Sequence, residues 1–108
     1  MKIPQNAHVP KDKLNKYLLV PKKENDKSKF LSQAGFSLQN PEELEKALRK
    51  HIEEHDAIPD KENEYGEFYT VKGDLEGSNG TFLKIISIWL KRRVDQIFSF
   101  ITLKPWKH

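Results

Sequence analysis

Two histidines spaced four residues apart are the first group in this sequence that could do chemistry. His51-Ile-Glu-Glu-His55 matches H-x-x-E-H, a pattern in which two imidazoles on one helix face share a zinc ion. A catalytic zinc also needs a third protein ligand and a substrate cleft, for which a chain of 108 residues has little room. The alternative is structural, because histidines in the last turns of a helix interact favourably with its free carbonyl groups. We predict no metal site and no cofactor.

A second group combines cations with aromatic rings near the C-terminus. Lys91-Arg92-Arg93 follows Trp89. The returning arm adds Lys104, Trp106, Lys107 and His108. Arginine forms bidentate contacts with phosphate and tryptophan stacks on bases, a combination suited to RNA. The alternative is a solvated turn whose charges protect the edge of an apolar strand, and composition alone leaves both interpretations open.

Charge is strongly polarised along the chain. Residues 1–29 hold eight basic and three acidic residues (+5), residues 30–80 hold five and twelve (−7), and residues 81–108 hold six and one (+5). The total of +3 hides this division. Basic ends around apolar segments favour binding to a polyanion, because each cation placed near a phosphate releases condensed counterions.

Composition excludes several classes of protein. The length supports a single domain over residues 1–108, with 1–56 mainly helical and 57–108 mainly strands. No apolar run reaches the ~18 residues that a membrane helix needs, and the N-terminus lacks the apolar core of a secretory signal. The absence of cysteine excludes disulfides and thiolate chemistry. The glycine-rich GDLEGSNG stretch lacks the GK[ST] of a phosphate-binding loop.

Helices are predicted in the first half of the chain. Residues 11–20 form a short helix with Leu14, Tyr17 and Leu18 on its buried face, followed by a solvated loop at 22–29. A second helix ends at Gly35, and its inward-facing residues are Phe30, Leu31 and Ala34. The third begins with Asn40 as N-cap and Pro41 at the first helical position. Its buried stripe is Leu44, Leu48 and Ile52, flanked by Ala47 and His51.

Strands are predicted in the second half. Residues 67–74 are rich in aromatic and β-branched residues and end in the glycine-rich loop. Residues 81–90 are apolar on both faces, which predicts a central strand covered on both sides. After a turn at 91–95, residues 96–104 return with Phe98, Phe100 and Thr102 on one face. Helices followed by an antiparallel meander predict an α+β fold.

Several segments, in this order, resemble one family. They are KIPQNAHVPKDKLNKYLL, KSKFLSQAGF, EYGEFYTVKGDLEG, SIW and FITLKP. The sequence is similar to a small bacterial domain that occurs alone, beside a small antitoxin-like partner, or at the C-terminal tips of polymorphic and contact-dependent inhibition (CdiA-type) toxins. That domain resembles the barnase/EndoU/colicin/RelE-type (BECR) ribonuclease superfamily, which implies N-terminal helices packed on an antiparallel sheet with the active site on the sheet face.

The resemblance implies a set of site residues. The basic block of the family corresponds to Lys27, Lys29, Phe30 and Leu31, its Tyr-Gly pair to Tyr65 and Gly66, and its T-V-W motif to Ser87, Ile88 and Trp89. The closing V-T-A-Y-P corresponds to residues 101–105, which include Thr102 and Lys104. Two arginines of the pattern are Ile86 and Ser99 here, and Arg92, Arg93 or Lys104 could replace them in space.

The function implied is a metal-independent ribonuclease toxin domain that cleaves tRNA or rRNA in the bacterial cytoplasm. Lys27 and Lys29 would stabilise phosphate charge, Ser87 and Thr102 would hydrogen-bond the scissile group, and Lys104 with Arg92 and Arg93 would hold flanking phosphates. Trp89 or Tyr65 would orient a base. The general base is left open among His8, His51, His55, His108 and a lysine of lowered pKa. The expected partners are RNA, tRNA above all, and an acidic immunity protein; the alternative is a non-catalytic RNA- or protein-binding module.

Overall fold

A computed structural model describes residues 1–23 and 27–106. It contains a π-helix (Lys13–Leu18) and two α-helices, α1 (Ser28–Ser32) and α2 (Pro41–Glu54). Four strands follow: β1 (Ala57–Asn63), β2 (Gly66–Glu76), β3 (Phe82–Arg92) and β4 (Phe98–Pro105). The expectations that concern Lys107 and His108 lie outside the described residues. None of the helices in the described part of the chain combines the length and the apolar character needed to cross a bilayer.

The α2 helix has the sequence features predicted for it. Pro41 stands in its first turn, and Glu42 and Glu43 follow near the positive end of the helix dipole. Asn40 occupies the N-cap position, but its side chain turns backwards and accepts hydrogen bonds from the backbone N–H and the hydroxyl of Ser37. The buried face consists of Leu44, Ala47, Leu48, His51 and Ile52. His51 is therefore part of the core rather than its flank.

The four strands form an antiparallel sheet in the order β1-β2-β3-β4, which confirms the predicted α+β class and the meander. One face is buried, with Val71, Ile85 and Leu103 fully covered. The other face, called the outer face below, is only partly covered: Ile86 and Ile88 are half-buried and Phe82 is 59% exposed. The prediction that β3 is covered on both sides is therefore wrong, because the described helices contact the sheet through its inner face and the edge of β4. The glycine-rich turn is also shorter than predicted, since β2 runs through Gly73 to Glu76.

A β-bulge changes the side-chain pattern of β4. Thr102 pairs with Ile88 and Phe100 with Trp89, so that Ile101 is an extra residue between two successive partners. Beyond the bulge the alternation is inverted. Leu103 joins Phe98 and Phe100 in the core, and Thr102 turns to the outer face, contrary to the prediction that Thr102 shares a face with both phenylalanines.

The N-terminal segment covers part of the free edge of β4. His8 forms a parallel bridge with Ser99, in which the His8 N–H donates to the Phe98 carbonyl (2.8 Å) and the Phe100 N–H donates to the His8 carbonyl (2.8 Å). The π-helix that follows also contacts β4. Leu14 and Leu18 are buried there as predicted, whereas Tyr17 is 55% exposed and the prediction of a buried ring is wrong.

Candidate active site on the outer edge of strand β4

Two of the predicted catalytic residues, 75 positions apart in the sequence, are in direct contact. Lys27 lies immediately before α1, and its Nζ donates a hydrogen bond to Oγ1 of Thr102 (3.0 Å). The β4 bulge makes this contact available, because without the extra residue Thr102 would face the core. Both residues line an open hollow of about 270 Å³ between the π-helix and β4.

The hollow is cationic. Its lining consists of Lys13, Tyr17, Leu18, Lys22, Lys27, Ile101 and Thr102. Burial lowers the pKa of Lys27, and the positive charges of Lys104 and then Lys22 lower it further. Among the described residues no carboxylate forms an ion pair with Lys22, Lys27 or Lys104. A group of like charges without a neutralising partner favours the binding of an anion.

Ser87 and Trp89, predicted to contact RNA, lie on the inner face and have no exposed surface. The Trp89 indole N–H donates to Oγ of Ser87 (2.8 Å), and the same oxygen lies 2.9 Å from Nε2 of His51. Nδ1 of His51 lies 3.1 Å from the Asp74 carbonyl. Neither side chain is accessible to a substrate in this arrangement, which corrects those two assignments: Ser87 connects β3 to α2 through His51, and Trp89 is hydrogen-bonded to Ser87 within β3.

The hydrogen bonds fix the protonation of His51. A carbonyl only accepts, so Nδ1 carries a hydrogen, and in the neutral ring Nε2 accepts from the Ser87 hydroxyl. Burial lowers the pKa of His51, and the neighbouring His55 lowers it further. Both ring nitrogens are engaged, which removes His51 from the candidate bases and from the H-x-x-E-H zinc interpretation. Within residues 1–23 and 27–106, no three His, Asp or Glu side chains are grouped so as to hold a metal ion.

The remaining predicted binding residues lie at the other end of the sheet. Arg92 pairs with Gly66 and Thr102 with Ile88, which separates the two groups by four residues of β3, or about 13 Å. The Arg92 guanidinium donates to Asp95, and this contact lowers the pKa of that carboxyl group. Arg93 donates to the Asn63 carbonyl (2.8 Å) and so joins the two hairpin ends. Tyr65 is 66% exposed beside them.

Lys29 is not part of the Lys27 hollow. It is exposed on α1 and lines a different depression, together with Phe36 and Leu38. Lys27 and Lys29 are two positions apart in the sequence, but their side chains line different depressions. The structure brings Lys27, Thr102 and Lys104 together and leaves Lys29 outside that group.

His8 is the described histidine placed closest to this group along the sheet edge. Its bridge partner Ser99 pairs with Leu90 on the outer face, and paired residues of neighbouring strands project to the same face. His8 is exposed and is held by two backbone hydrogen bonds, three residues along β4 from Thr102. His55, in contrast, lies on the inner face against Gly73, where an added Cβ would be 2.5 Å from its ring.

Sequence reasoning missed the contribution of the π-helix to the hollow. Lys13, Tyr17 and Lys22 line it, although the helical pattern placed Tyr17 in the core and the lysines in solvent. The only sequence signal was the excess of lysine in the first 29 residues, which gives the sign of the charge but not its position.

A comparison with family models matches residues 2–107 to a family described as "Domain of unknown function (DUF6883)". Comparisons with curated proteins and with solved structures returned no match.

Proposed function

The chain belongs to the DUF6883 family, and from the geometry at the edge of β4 we propose that it is a metal-independent endoribonuclease, a toxin domain that cleaves tRNA or rRNA. The observation that carries the proposal is the contact of Lys27 with Thr102 inside a hollow lined by lysines. A phosphodiester is an anion with neighbouring hydroxyl groups, and this site offers cations and one hydroxyl at hydrogen-bonding distance from each other. The proposal includes the BECR ribonuclease architecture, with which an α+β fold is compatible.

The reaction requires one bond to form and one to break. The ribose 2′-oxygen attacks phosphorus, the bond from phosphorus to the 5′-oxygen breaks, and the products carry a 2′,3′-cyclic phosphate and a 5′-hydroxyl. Lys27 and Lys104 stabilise the negative charge that develops on the phosphoryl oxygens. The lowered pKa of Lys27 makes its ammonium a stronger acid, suited to protonating the 5′-oxygen as it leaves. Thr102 orients Lys27 by accepting its hydrogen bond, and its hydroxyl hydrogen, which donates to the Leu103 carbonyl at 3.4 Å, would turn to a phosphoryl oxygen of the substrate.

His8 is assigned as the general base that takes the proton of the 2′-hydroxyl. Three observations support this choice over the other described histidines: its exposure, its position on the outer face and its fixed backbone beside β4. Imidazole is also the side chain that most often serves as a general base. Arg92, Arg93 and Tyr65, about 13 Å further along the sheet, would contact nucleotides that flank the cleaved bond.

An acidic immunity protein is the proposed partner, in a toxin and immunity pair that acts in the bacterial cytoplasm. A protein that inhibits this site must cover a cluster of lysines that form no ion pair with any described carboxylate, and complementary charge increases both the association rate and the specificity. Co-expression of such a partner should relieve growth arrest and bury Lys27 and Lys104.

The proposal is tested by incubating the chain with total tRNA in excess EDTA. We expect discrete fragments with 2′,3′-cyclic phosphate and 5′-hydroxyl ends. Lys27→Ala and His8→Gln should each reduce the rate by about 10²–10⁴-fold, the usual contribution of a general acid or base. Thr102→Val keeps the side-chain shape and removes the hydroxyl, so it should also slow cleavage.

Lys46→Ala is the matched control, because Lys46 is exposed on α2, the helix that packs against the inner face, far from Thr102. It should cleave like the unchanged chain. If the RNA is bound and retarded in a gel but stays intact, the ribonuclease proposal is wrong and the alternative function holds: a non-catalytic RNA-binding module. Cleavage restored only by added zinc would overturn the metal-independent mechanism.

A further inference from the structure

Tyr17 is a large aromatic side chain exposed beside the proposed active site. It is 55% exposed and forms one wall of the Lys27 hollow. Exposure of a single ring is ordinary, but an aromatic ring that lines a cationic hollow has no packing role to explain it. The residues around the ring therefore decide what it does.

The neighbours of the ring are cations. Nζ of Lys22 lies 4.6 Å from the ring centroid and Nζ of Lys13 lies 5.8 Å from it. Cation–π attraction holds these ammonium groups next to the ring, although their mutual repulsion opposes it. Within the part of the chain that the structure describes, neither lysine has a carboxylate partner. Toward the described residues, the ammonium groups of both lysines can therefore still donate to an incoming anion.

The backbone that carries Tyr17 is unusual. Lys13–Leu18 form a π-helix, and the Leu19 N–H donates to the Leu14 carbonyl (3.0 Å), five residues earlier. π-Turns are rare and occur frequently at functional sites. Here the wider turn buries Leu14 and Leu18 while it turns Tyr17 out of the core, so the π-helix is the feature that places the ring in the hollow.

We infer that the Tyr17 wall is a nucleobase subsite for a single nucleotide unit: the base replaces the Lys22 ammonium group on the Tyr17 ring, and the phosphate is held by Lys13, Lys22 and Lys27. An anion alone would need only the lysines, and an apolar ligand only the ring; a nucleotide uses both. The volume, about 270 Å³, is slightly smaller than that of usual ligand pockets, so the hollow suits one nucleotide better than a longer segment. The inference rests on the proposed function for the identification of RNA as the source of that nucleotide.

The position of the subsite gives it a role in the proposed reaction. Thr102 and Ile101 form the opposite wall, so a base on Tyr17 belongs to a nucleotide adjacent to the phosphate held at Lys27 and Thr102. Tyr17 would then position the scissile bond and set a preference for the base at that place. Stacking is tolerant of sequence, so the preference concerns the size of the base more than its hydrogen-bonding edge.

Binding of small probes tests the subsite without any cleavage. The full chain is titrated with the four nucleoside 3′-monophosphates, with ribose phosphate and with inorganic phosphate, and binding is followed by NMR chemical shifts. We expect nucleotides to bind more tightly than ribose phosphate and to perturb Tyr17 and Thr102. Base stacking contributes about 1–3 kcal/mol, so Tyr17→Leu should weaken nucleotide binding by roughly 5- to 150-fold and weaken the binding of inorganic phosphate far less.

Two further variants complete the test. Tyr17→Phe keeps the ring and should bind like the unchanged chain, and Phe82→Leu removes an exposed aromatic ring elsewhere (59% exposed) and should have no effect. The subsite proposal is wrong if nucleotides bind no better than inorganic phosphate. It is also wrong if the Tyr17→Leu variant binds nucleotides as tightly as the unchanged chain does. If Tyr17→Leu loses nucleotide binding and the unchanged chain does not cleave RNA, the subsite is supported and the ribonuclease is refuted. RNA cleavage with nucleotide binding that is independent of Tyr17 would do the reverse.

Discussion

At the scale of single residues, a buried hydrogen-bond network joins Trp89, Ser87, His51 and the Asp74 carbonyl. Each link has one donor and one acceptor: indole N–H to hydroxyl, hydroxyl to imidazole, imidazole N–H to carbonyl. Throughout the described residues, every buried side-chain nitrogen and oxygen has a hydrogen-bond partner. This hydrogen-bond network is complete only while His51 is neutral, because a second ring hydrogen would leave the Ser87 hydroxyl without its acceptor.

Ser87→Ala should therefore affect stability rather than chemistry. The change leaves the Trp89 N–H and Nε2 of His51 without a partner, and an unsatisfied buried polar group costs about 1–3 kcal/mol. Urea denaturation should show that loss, while the cleavage rate per folded molecule stays that of the unchanged chain. A large loss of rate with unchanged stability would restore the catalytic role that the sequence predicted for Ser87.

The free energy of unfolding should depend on pH through His51. Its pKa is lowered in the folded state from the ordinary 6.5, so between the two pKa values the unfolded chain binds more protons. Stability is fully present above the unfolded value and is lost as the pH falls from about 7 through the folded value. Denaturation measured from pH 7.5 to 5 should show this loss, and His51→Gln should reduce its slope. The same slope in both chains would assign the effect to other groups.

At the scale of elements, two local irregularities determine the site: the bulge in β4 and the π-helix. The bulge turns Thr102 outward, and the π-helix turns Tyr17 into the same hollow. Irregular backbone of both kinds is enriched near functional sites, because it re-aims a side chain without changing the fold.

The packing of α2 on β2 depends on a glycine. A Cβ at Gly73 would lie 2.5–2.6 Å from ring atoms of His55, closer than carbon atoms approach. Gly73→Ala should destabilise the protein by about 1–3 kcal/mol, the usual cost of overpacking, as measured by urea denaturation.

His55→Ala supplies the control for Gly73→Ala, because it removes the ring that the new methyl group would meet. In the His55→Ala background the cost of Gly73→Ala should be much smaller. An equal cost in both backgrounds would mean that the loss arises from the β2 backbone and not from contact with α2.

At the scale of the whole molecule, folding concentrates the charge that the sequence distributes over two ends. The parallel bridge at His8 and the π-helix place the basic N-terminal segment against basic β4, so that Lys22, Lys27 and Lys104 act on one another. The acidic residues of α2 lie on the helix that covers the inner face. This arrangement gives the outer edge of β4 a positive field, which is suited to a polyanion.

Binding of single-stranded nucleic acid should therefore depend steeply on salt. A short single-stranded DNA lacks the 2′-hydroxyl and serves as an uncleavable probe. If four lysines each contact a phosphate, log K should fall against log salt with a slope of about −3, and each change to alanine should reduce that slope by about 0.7. Lys46→Ala should leave it unchanged. A slope near zero, or one that is insensitive to Lys22→Ala and Lys27→Ala, would remove this surface from any nucleic-acid function.

The sequence alone determined the α+β class, the position of α2 and three of the four strands; β1 (Ala57–Asn63) was not predicted as a separate strand. These features depend on local signals: Asn40-Pro41 before an amphipathic stripe, and apolar residues at strand spacing from residue 67 onward. It also determined the sign of the charge at both ends. Each of these features depends on a few neighbouring residues, so periodicity and composition are enough to predict it.

Only the tertiary structure decided which predicted residues meet. Periodicity assigned Thr102 to the face of Phe98 and Phe100 and Tyr17 to a buried face, because it assumes regular alternation and regular helical turns. A bulge and a π-helix break both assumptions. Ser87 and Thr102 stand in neighbouring strands as similar hydroxyl residues, yet one is sealed beside His51 and the other contacts Lys27. Contacts between residues 75 positions apart depend on how the N-terminal segment docks on the edge of β4, and that docking is decided by the packing of the whole chain.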